Sequence, residues 1–385
     1  APHLLFYGHY DVQPPDPLEL WNSPPFEPVL VDGPHGKRIV ARGAVDDKGQ
    51  VMTFVEAFRA WRDVHGTLPC KVTVMIEGEE ETGSPSLLPF MRANLEELRA
   101  DACVVCDTGM WSVDQPAITY SLRGLAYLEV KIQGPNQDLH SGLFGGSAIN
   151  PINVLASLLG DMHDKTGRIA IPGFYDDVIP LGDNERTQWD ALNFDETAFL
   201  ASVGLEEPGG EAGVGALERQ WARPTLDVNG IWGGYTDPGA KTVIAREAFA
   251  KLSCRLVADQ DPDRIMALVQ DFIRSKLPKG FSADFKNLGA APAVRVPTDS
   301  AYLQAGISGL RDIYGKDAFL IGSGGSIPAV GAINQMLGMD SILLGFGLSD
   351  DRVHSPNEKF ERICFHNGIR SHAAVLARMA AIPKA

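Results

Sequence analysis

The chain has 385 residues, 44% of them hydrophobic, with 34 Lys and Arg against 49 Asp and Glu for a net charge of −15. That length suits two domains, and the apolar share is enough for real cores, so intrinsic disorder is excluded. The acidic balance argues against nucleic acid or an anionic membrane as partner, and with no run of about 18 apolar residues no membrane-spanning helix is expected.

The chain opens on APHLLFYGHYDV, which enters a strand at once without an initiator Met. A truncated or processed N-terminus is the expectation. Location is read as cytoplasmic, with a removed signal peptide as the alternative. KGQVMTFVEAFRAWRDVHG reads as a helix, because Val51, Phe54, Val55, Phe58 and Trp61 recur at helical spacing and Gly66 lies just past the end. CKVTVMI reads as a strand, SLLPFMRANLEELRA as one helix opened by Ser86 or by Ser84 with Pro85, and ACVVCD as a short apolar strand. Strands alternating with helices imply right-handed crossovers and a mainly parallel sheet.

After Gly124 the texture changes. LAYLEVKIQG and EAFAKLSCRLVAD alternate as half-buried strands do, with the helical run PINVLASLLGDMHD between them and the helix DPDRIMALVQDFIRSKLP after them. Roughly 171 to 239 is rich in Pro, Gly and acid. This reads as an inserted α+β domain over 123–291. The α/β domain is then discontinuous, 1–122 and 292–385. It resumes with SAYLQAGISGLRDIYG, AFLIGSGGS and SILLGFG and closes on a helix from Lys359 to Ala381. The five cysteines, Cys70, Cys103, Cys106, Cys254 and Cys364, mostly sit in apolar runs and read as buried reduced thiols. Cys103 and Cys106 have no second pair at zinc-ribbon spacing.

Strands of the first domain end in acid or histidine: GHYDVQP with His9 and Asp11, EGEEETGS with Glu80 and Glu81, CDTG with Asp107; ARGAVDDKG adds Asp46. Each has a plain reading, as a structural turn, a solvated loop or an acidic helix start. Together they have another. Ligands bind outside the carboxyl ends of strands in open α/β sheets, so these groups converge. Two carboxylates 4 Å apart repel by about 4 kcal/mol at an effective dielectric of roughly 20. Protons relieve one or two such charges; divalent cations relieve all of them, and the mixed imidazole and carboxylate set suits zinc. A single four-ligand site does not need so many acids, whereas two metals sharing a carboxylate do. No G-x-S-x-G, Walker or G-x-G-x-x-G motif competes. GSGGS at 322–326 lacks a lysine but could cradle a carboxylate.

GHYDVQP, ARGAVDDKG, EGEEETGS, DLHSGLFGG, GAKTVI, GGSIP and HSPNEK occur in this order. Over residue 4 to about 360 the chain resembles the di-zinc exopeptidases of the carnosinase and cytosolic nonspecific dipeptidase group, relatives of the aminoacylases, glutamate carboxypeptidases and succinyl-diaminopimelate desuccinylases. The resemblance implies that His9, Asp46 and Asp107 bind one metal and Asp46, Glu81 and His354 the other, with Asp46 as bridge. Zinc is the first choice, and the same ligands admit manganese or cobalt. Asp11 would orient His9, and the Asp46–Asp47 peptide would be cis. Glu80 would be the general base that takes a proton from the water between the metals. Glu77 and Glu79 carry no implied role.

The inserted domain matches the family's lid and dimerisation domain. His140 would reach the active site of a homodimer partner, and Thr242, Arg255 and Ser326 would bind the substrate's C-terminal carboxylate. Animal dipeptidases carry a glutamate before GGSIP where Ser323 stands here. The implied activity is hydrolysis of dipeptides or short peptides with a free C-terminal carboxylate. The alternatives are N-acyl amino acid hydrolysis by the same site, and a metal-dependent binding protein without activity.

Overall fold

The computed structural model describes residues 1–383. Two compact units divide it: Ala1–Ser121 with Val294–Gly322 and everything from Ile327 onward, and Leu122–Ala293 with Ser323–Ser326. The sequence reading left 322–326 in the first domain. Its placement follows from local bonds. Arg123 N donates to Ser323 O at 3.2 Å and Arg123 Nε to Gly324 O at 3.1 Å, while Ser326 Oγ donates to Arg123 O at 2.5 Å.

The first unit is built on a seven-stranded sheet in the order Val294–Arg295, Ala117–Leu122, Ser341–Leu343, Ala102–Val105, His3–His9, Lys71–Glu77, with Phe319–Ser323 also pairing Ala117–Leu122. His3–His9 runs parallel to both neighbours, with Leu4 opposite Val72 on one side and Ala102 on the other. Leu4, Leu5, Phe6 and Tyr7 are all buried. A strand with both faces covered has no polar side to show, which is why it reads as a continuous apolar run.

The helix Lys48–His65 buries Phe54 and Ala57 and ends at Gly66, whose φ of 79° suits glycine. The expected 86–100 helix is two pieces, Leu87–Ala93 and Leu95–Leu98. Asn94 breaks it at φ −125° and donates its side-chain amide to Phe90 O at 2.8 Å, a local bond that competes with helix continuation. The expected helix from Lys359 starts three residues later. Lys359–Glu361 is a strand paired antiparallel with Gly36–Val40, and the helix is Arg362–Ala380.

The second unit carries an antiparallel sheet in the order Ser282–Ala291, Gly124–Gln133, Glu247–Leu256, Thr225–Gly233. One face, with Leu128, Val130, Ala250 and Leu252, packs on Leu155 and Leu158 of Pro151–Gly160 and on Val269 and Ile273 of Pro262–Ser275. The 171–239 stretch is not structureless. It holds short helices at Asp183–Asp190, Glu196–Ala201 and Ala216–Trp221 before the Thr225–Gly233 edge strand.

His372 sits in the first unit's core. Its ring lies 6.0 Å from Phe6, 6.1 Å from Phe54 and 5.3 Å from Phe346, centroid to centroid. Neither ring nitrogen has a hydrogen-bond partner among the described residues. Burial alone holds its pKa down to about 3 from an ordinary 6.5. The unfolded chain therefore takes up a proton that the folded one refuses between those values. Stability is fully present above pH 6.5 and is lost toward pH 3 at roughly 1 kcal/mol per pH unit. Urea unfolding across that window should show a shallower acid loss for His372→Leu than for the parent; parallel curves would refute the assignment.

Candidate metal centre

The candidate residues come together at the carboxyl ends of neighbouring parallel strands. His9 closes its strand and is buried. Tyr7 pairs with Val105, so Asp107 comes level with His9 two residues on, and His9 Nε2 lies 4.0 Å from Asp107 Oδ2. On the other side His9 pairs with Glu77. Beyond it the chain makes a single 3-10 turn, Glu80–Thr82, ended by Gly83 at φ 87°. That turn delivers Glu80 and Glu81.

Asp46 lies between two imidazoles. Its Oδ1 is 3.1 Å from His9 Nε2 and its Oδ2 is 3.0 Å from His354 Nε2. His354 Nε2 is also 3.3 Å from Glu81 Oε2. One ligand atom from each of His9, Asp46 and Asp107 falls within 4.8 Å of the others, and the same holds for Asp46, Glu81 and His354. Two groups thus share one carboxylate, which turns a different oxygen to each. The Asp46–Asp47 peptide is cis.

Neighbouring groups fix these orientations. His9 Nδ1 faces Asp11 O at 3.1 Å and Asp11 Oδ1 at 3.3 Å, leaving Nε2 toward the acids. The same Asp11 carboxylate accepts the Glu80 N–H at 3.3 Å and the Glu81 N–H at 3.0 Å, so it ties the two strand ends together. Gln13 Nε2 donates to Glu81 Oε2 at 2.7 Å. Asp47 is buried behind His9, accepting its N–H at 3.1 Å and the Cys106 thiol at 3.3 Å. Gly8 permits that approach, since a Cβ there would stand 2.8 Å from Asp47 Oδ2 and 2.5 Å from Val51 Cγ2. Glu77 and Glu79 serve the turn: Glu77 accepts from Tyr7 Oη, and Glu79 Oε2 accepts the Ser86 N–H at 3.0 Å.

The electrostatics are those of a crowded anionic site. Burial raises the Asp46 carboxyl, but hydrogen bonds from His354 and His9 outweigh it and hold Asp46 below the usual carboxylate range. Burial opposes a charge on His9, yet the Asp46 hydrogen bond and the Asp107 charge push it up to about 10. Hydrogen bonds to Asp46 and Glu81 carry His354 to about 10 as well. Burial and the charges of Asp47 and Asp46 drive Asp107 well above the carboxylate range. Burial foremost, then the charges of Glu81 and Asp46 against that of His9, lifts Glu80 to about 7. The protein alone therefore balances these acids with protons. Glu81 Oε1 is buried without a hydrogen-bond partner among the described residues, a lone pair left for a ligand. Oxygen and imidazole donors in two adjoining groups fit divalent cations.

The other four candidate residues lie in the second unit, His140 and Thr242 on adjoining segments and Arg255 bonded to Ser326. His140 precedes the short helix Ser141–Phe144, accepts the Gly142 N–H on Nδ1 at 3.0 Å and pairs with Val243; Ser141 N donates to Thr242 O at 3.0 Å. Arg255 Nη1 donates to Ser326 Oγ at 3.1 Å. Sequence reasoning gave no role to Gln13, Asp47 or Glu358. Each stands inside a quoted motif, but only their burial and partners distinguish them from loop residues.

Residues 5–378 match the peptidase family M20/M25/M40. The human Beta-Ala-His dipeptidase is 32% identical over 383 residues, 98% of this chain and 75% of that one. The Cys-Gly metallodipeptidase dug1 of Schizosaccharomyces pombe is 31% identical over 384 residues, 98% and 80% of the two chains. Among solved structures, the M20 family metallo-carboxypeptidase Sso-CP2 of Sulfolobus solfataricus superposes with a TM-score of 0.87 at 31% identity, covering 99% of this chain and 86% of that one.

Shared use of Asp46 makes a stoichiometric prediction. Metal-free protein dialysed against zinc should take up about two ions per chain, Asp107→Asn about one, and Asp46→Asn neither tightly. Two tightly held ions in Asp46→Asn would separate the two ligand groups.

Proposed function

The chain belongs to peptidase family M20/M25/M40, and on that premise we propose that this metallopeptidase is a two-metal exopeptidase of dipeptides and short peptides with a free C-terminal carboxylate. The observation that carries the reading is the Asp46 carboxylate set between His9 and His354, with Asp107 beside one imidazole and Glu81 beside the other. His9, Asp46 and Asp107 would hold one cation, and Asp46, Glu81 and His354 the second, with zinc the first choice. Two divalent cations there supply a Lewis acid for the scissile carbonyl and lower the pKa of the attacking water.

The chain's own groups do the rest. Glu80, whose carboxyl burial lifts above the usual carboxylate range, is the group placed to accept a proton and return it. It takes the proton from the water as its oxygen adds to the carbonyl carbon. It then gives that proton to the departing nitrogen as the C–N bond breaks, which leaves an amine and a carboxylic acid; the acid's remaining proton passes to the amine, so the products part as an ammonium and a carboxylate. Asp11 holds His9 and the backbone of Glu80 in one register, so the base and the ligand sphere keep their relation.

Thr242, Arg255 and Ser326 are assigned to the substrate carboxylate. Support comes from the Arg255–Ser326 hydrogen bond, which presents a guanidinium beside a hydroxyl. The working form is proposed to be a homodimer in which His140 of the partner subunit completes each site. Exposed apolar side chains support an interface in the second unit: Leu143 at 78% and Phe144 at 43% beside His140, and Ile231 and Trp232 on the Thr225–Gly233 edge strand. No helix among the described residues is long and apolar enough to cross a membrane. A cytoplasmic site of action is part of the proposal, and the five unpaired cysteines agree with it.

Glu80→Gln should bind metal as the parent does and lose about 10²–10⁴ in kcat on a dipeptide; near-parental turnover would remove the mechanism. Assayed side by side, dipeptides should be hydrolysed and N-acetyl amino acids spared, and the reverse preference would transfer the site to acyl amino acids. Mixing inactive His140→Ala with inactive Glu80→Gln should restore about a quarter of parental activity through heterodimers carrying one intact site. No recovery after demonstrated subunit exchange would place His140 outside the partner's chemistry.

A further inference from the structure

One carboxylate holds the loop that carries Asp46, and it is not a ligand. Glu358 is 0% exposed. Its Oε1 accepts the N–H groups of Val45 at 2.9 Å and Asp46 at 3.1 Å. Its Oε2 accepts the Gly43 N–H at 3.0 Å and Arg42 Nη1 at 2.8 Å. Two bonds on each oxygen fill the acceptor capacity of an ionised carboxylate. The Glu358 main chain adds a further bond, taking the Ala41 N–H at 3.1 Å.

Elsewhere the loop is tied by the Arg42 N–H to Pro25 O at 2.8 Å, the Ala44 N–H to Ala41 O at 3.2 Å and the Asp47 carboxylate under the His9 N–H, but no other group among the described residues takes more than one of its N–H donors. Residues 41–47 lie outside every strand and helix, between Gly36–Val40 and Lys48–His65. Gly43 turns at φ 80°, and the N–H groups of Gly43, Val45 and Asp46 all point to one side, at Glu358. Buried backbone donors without partners are costly, so the loop has this shape only while that acceptor is there. Arg42 supplies the counter-charge. Its side chain is buried against Glu358, donates to Pro14 O at 3.2 Å and lies 5.4 Å from the centre of the Trp21 ring. Glu358 also lies four residues after His354, on a segment pinned by Lys359, whose Nζ is 2.5 Å from Asp351 and 3.2 Å from Glu361.

We propose that Glu358 is a positioning residue of the metal centre: it fixes the Asp46 backbone so that the carboxylate turns one oxygen to His9 and the other to His354, and couples that loop to the segment carrying His354. The proposal rests on the two-metal reading above. It predicts that altering Glu358 weakens metal binding although Glu358 touches neither imidazole. Glutamine has the same shape but replaces one acceptor oxygen with an amide that donates, facing donors on every side.

The test uses metal-free protein titrated with zinc against a chromogenic chelator, the visible absorption of the cobalt-loaded protein, and unfolding of the metal-free form. Glu358→Gln should bind zinc about 10–100-fold more weakly and shift the cobalt bands, the scale seen when groups behind metal ligands are changed. Glu358→Asp keeps the charge opposite Arg42 and retracts the carboxylate by one methylene. It should fold and show a smaller loss in the same direction, and it decides the matter alone if the glutamine variant does not fold. Zinc affinity within about twofold of the parent and unchanged cobalt bands in the folded variants would overturn the proposal, even if the metal-free protein were less stable. A parent that binds no zinc is a different outcome and overturns the two-metal reading itself.

Discussion

The site depends on one constraint: carboxylates packed this closely must be neutralised from within. Asp46 is the point where that constraint is sharpest. Its two oxygens face two imidazoles at 3.1 and 3.0 Å, and Asp107 and Glu81 stand beyond them. No arrangement of protons serves all these groups equally, which is why His9 and His354 are driven up and Asp107 is driven up with them. A fold that keeps such a cluster keeps it for a ligand of opposite charge.

The parallel sheet makes the crowding possible. Strands in register end at one level, so residues from distant parts of the chain arrive side by side: His9 beside Glu77, and Asp107 one step along. Backbone donors then do much of the orienting. Asp11 takes the N–H groups of Glu80 and Glu81, Asp47 takes that of His9, and Glu358 takes three from the Asp46 loop. These three acids, which are not aimed at the site's centre, instead collect main-chain donors behind it, so their negative charge is spread into the peptide dipoles.

The convergence of His9, Glu81 and Asp107 was legible in the sequence because strand ends are, whereas Asp46 reads as a loop acid before the Lys48–His65 helix. An apolar run that stops at an acid or histidine marks the edge of a parallel sheet. His354 came only through the resemblance, since its turn, at φ 61°, has no periodic signal. Glu358 was invisible for a related reason: a buried glutamate inside HSPNEK looks like any loop acid until its four donors are seen. The core strands and the helices Lys48–His65, Pro262–Ser275 and Ala301–Tyr314 were read correctly, because burial of one face imposes a period. Several short elements were not, although the strands Ala102–Val105, Phe319–Ser323 and Ser341–Leu343 lie where their apolar runs put them. Lys359–Glu361 is a strand only because Gly36–Val40 offers a partner, Asn94 ends a helix through its own side chain, and the helices within 171–239 are too brief to show a repeat.

The tetrad Ser323–Ser326 clusters with the second unit although the residues on either side of it belong to the first. Its ties run to Arg123 and Arg255. The insert is therefore not a cassette with one entrance and one exit. Transplanting Leu122–Ala293 into a relative would sever a loop whose anchors travel with the graft while the loop itself stays behind. Modular exchange in this architecture has to carry both stretches as a single piece, and descent with it.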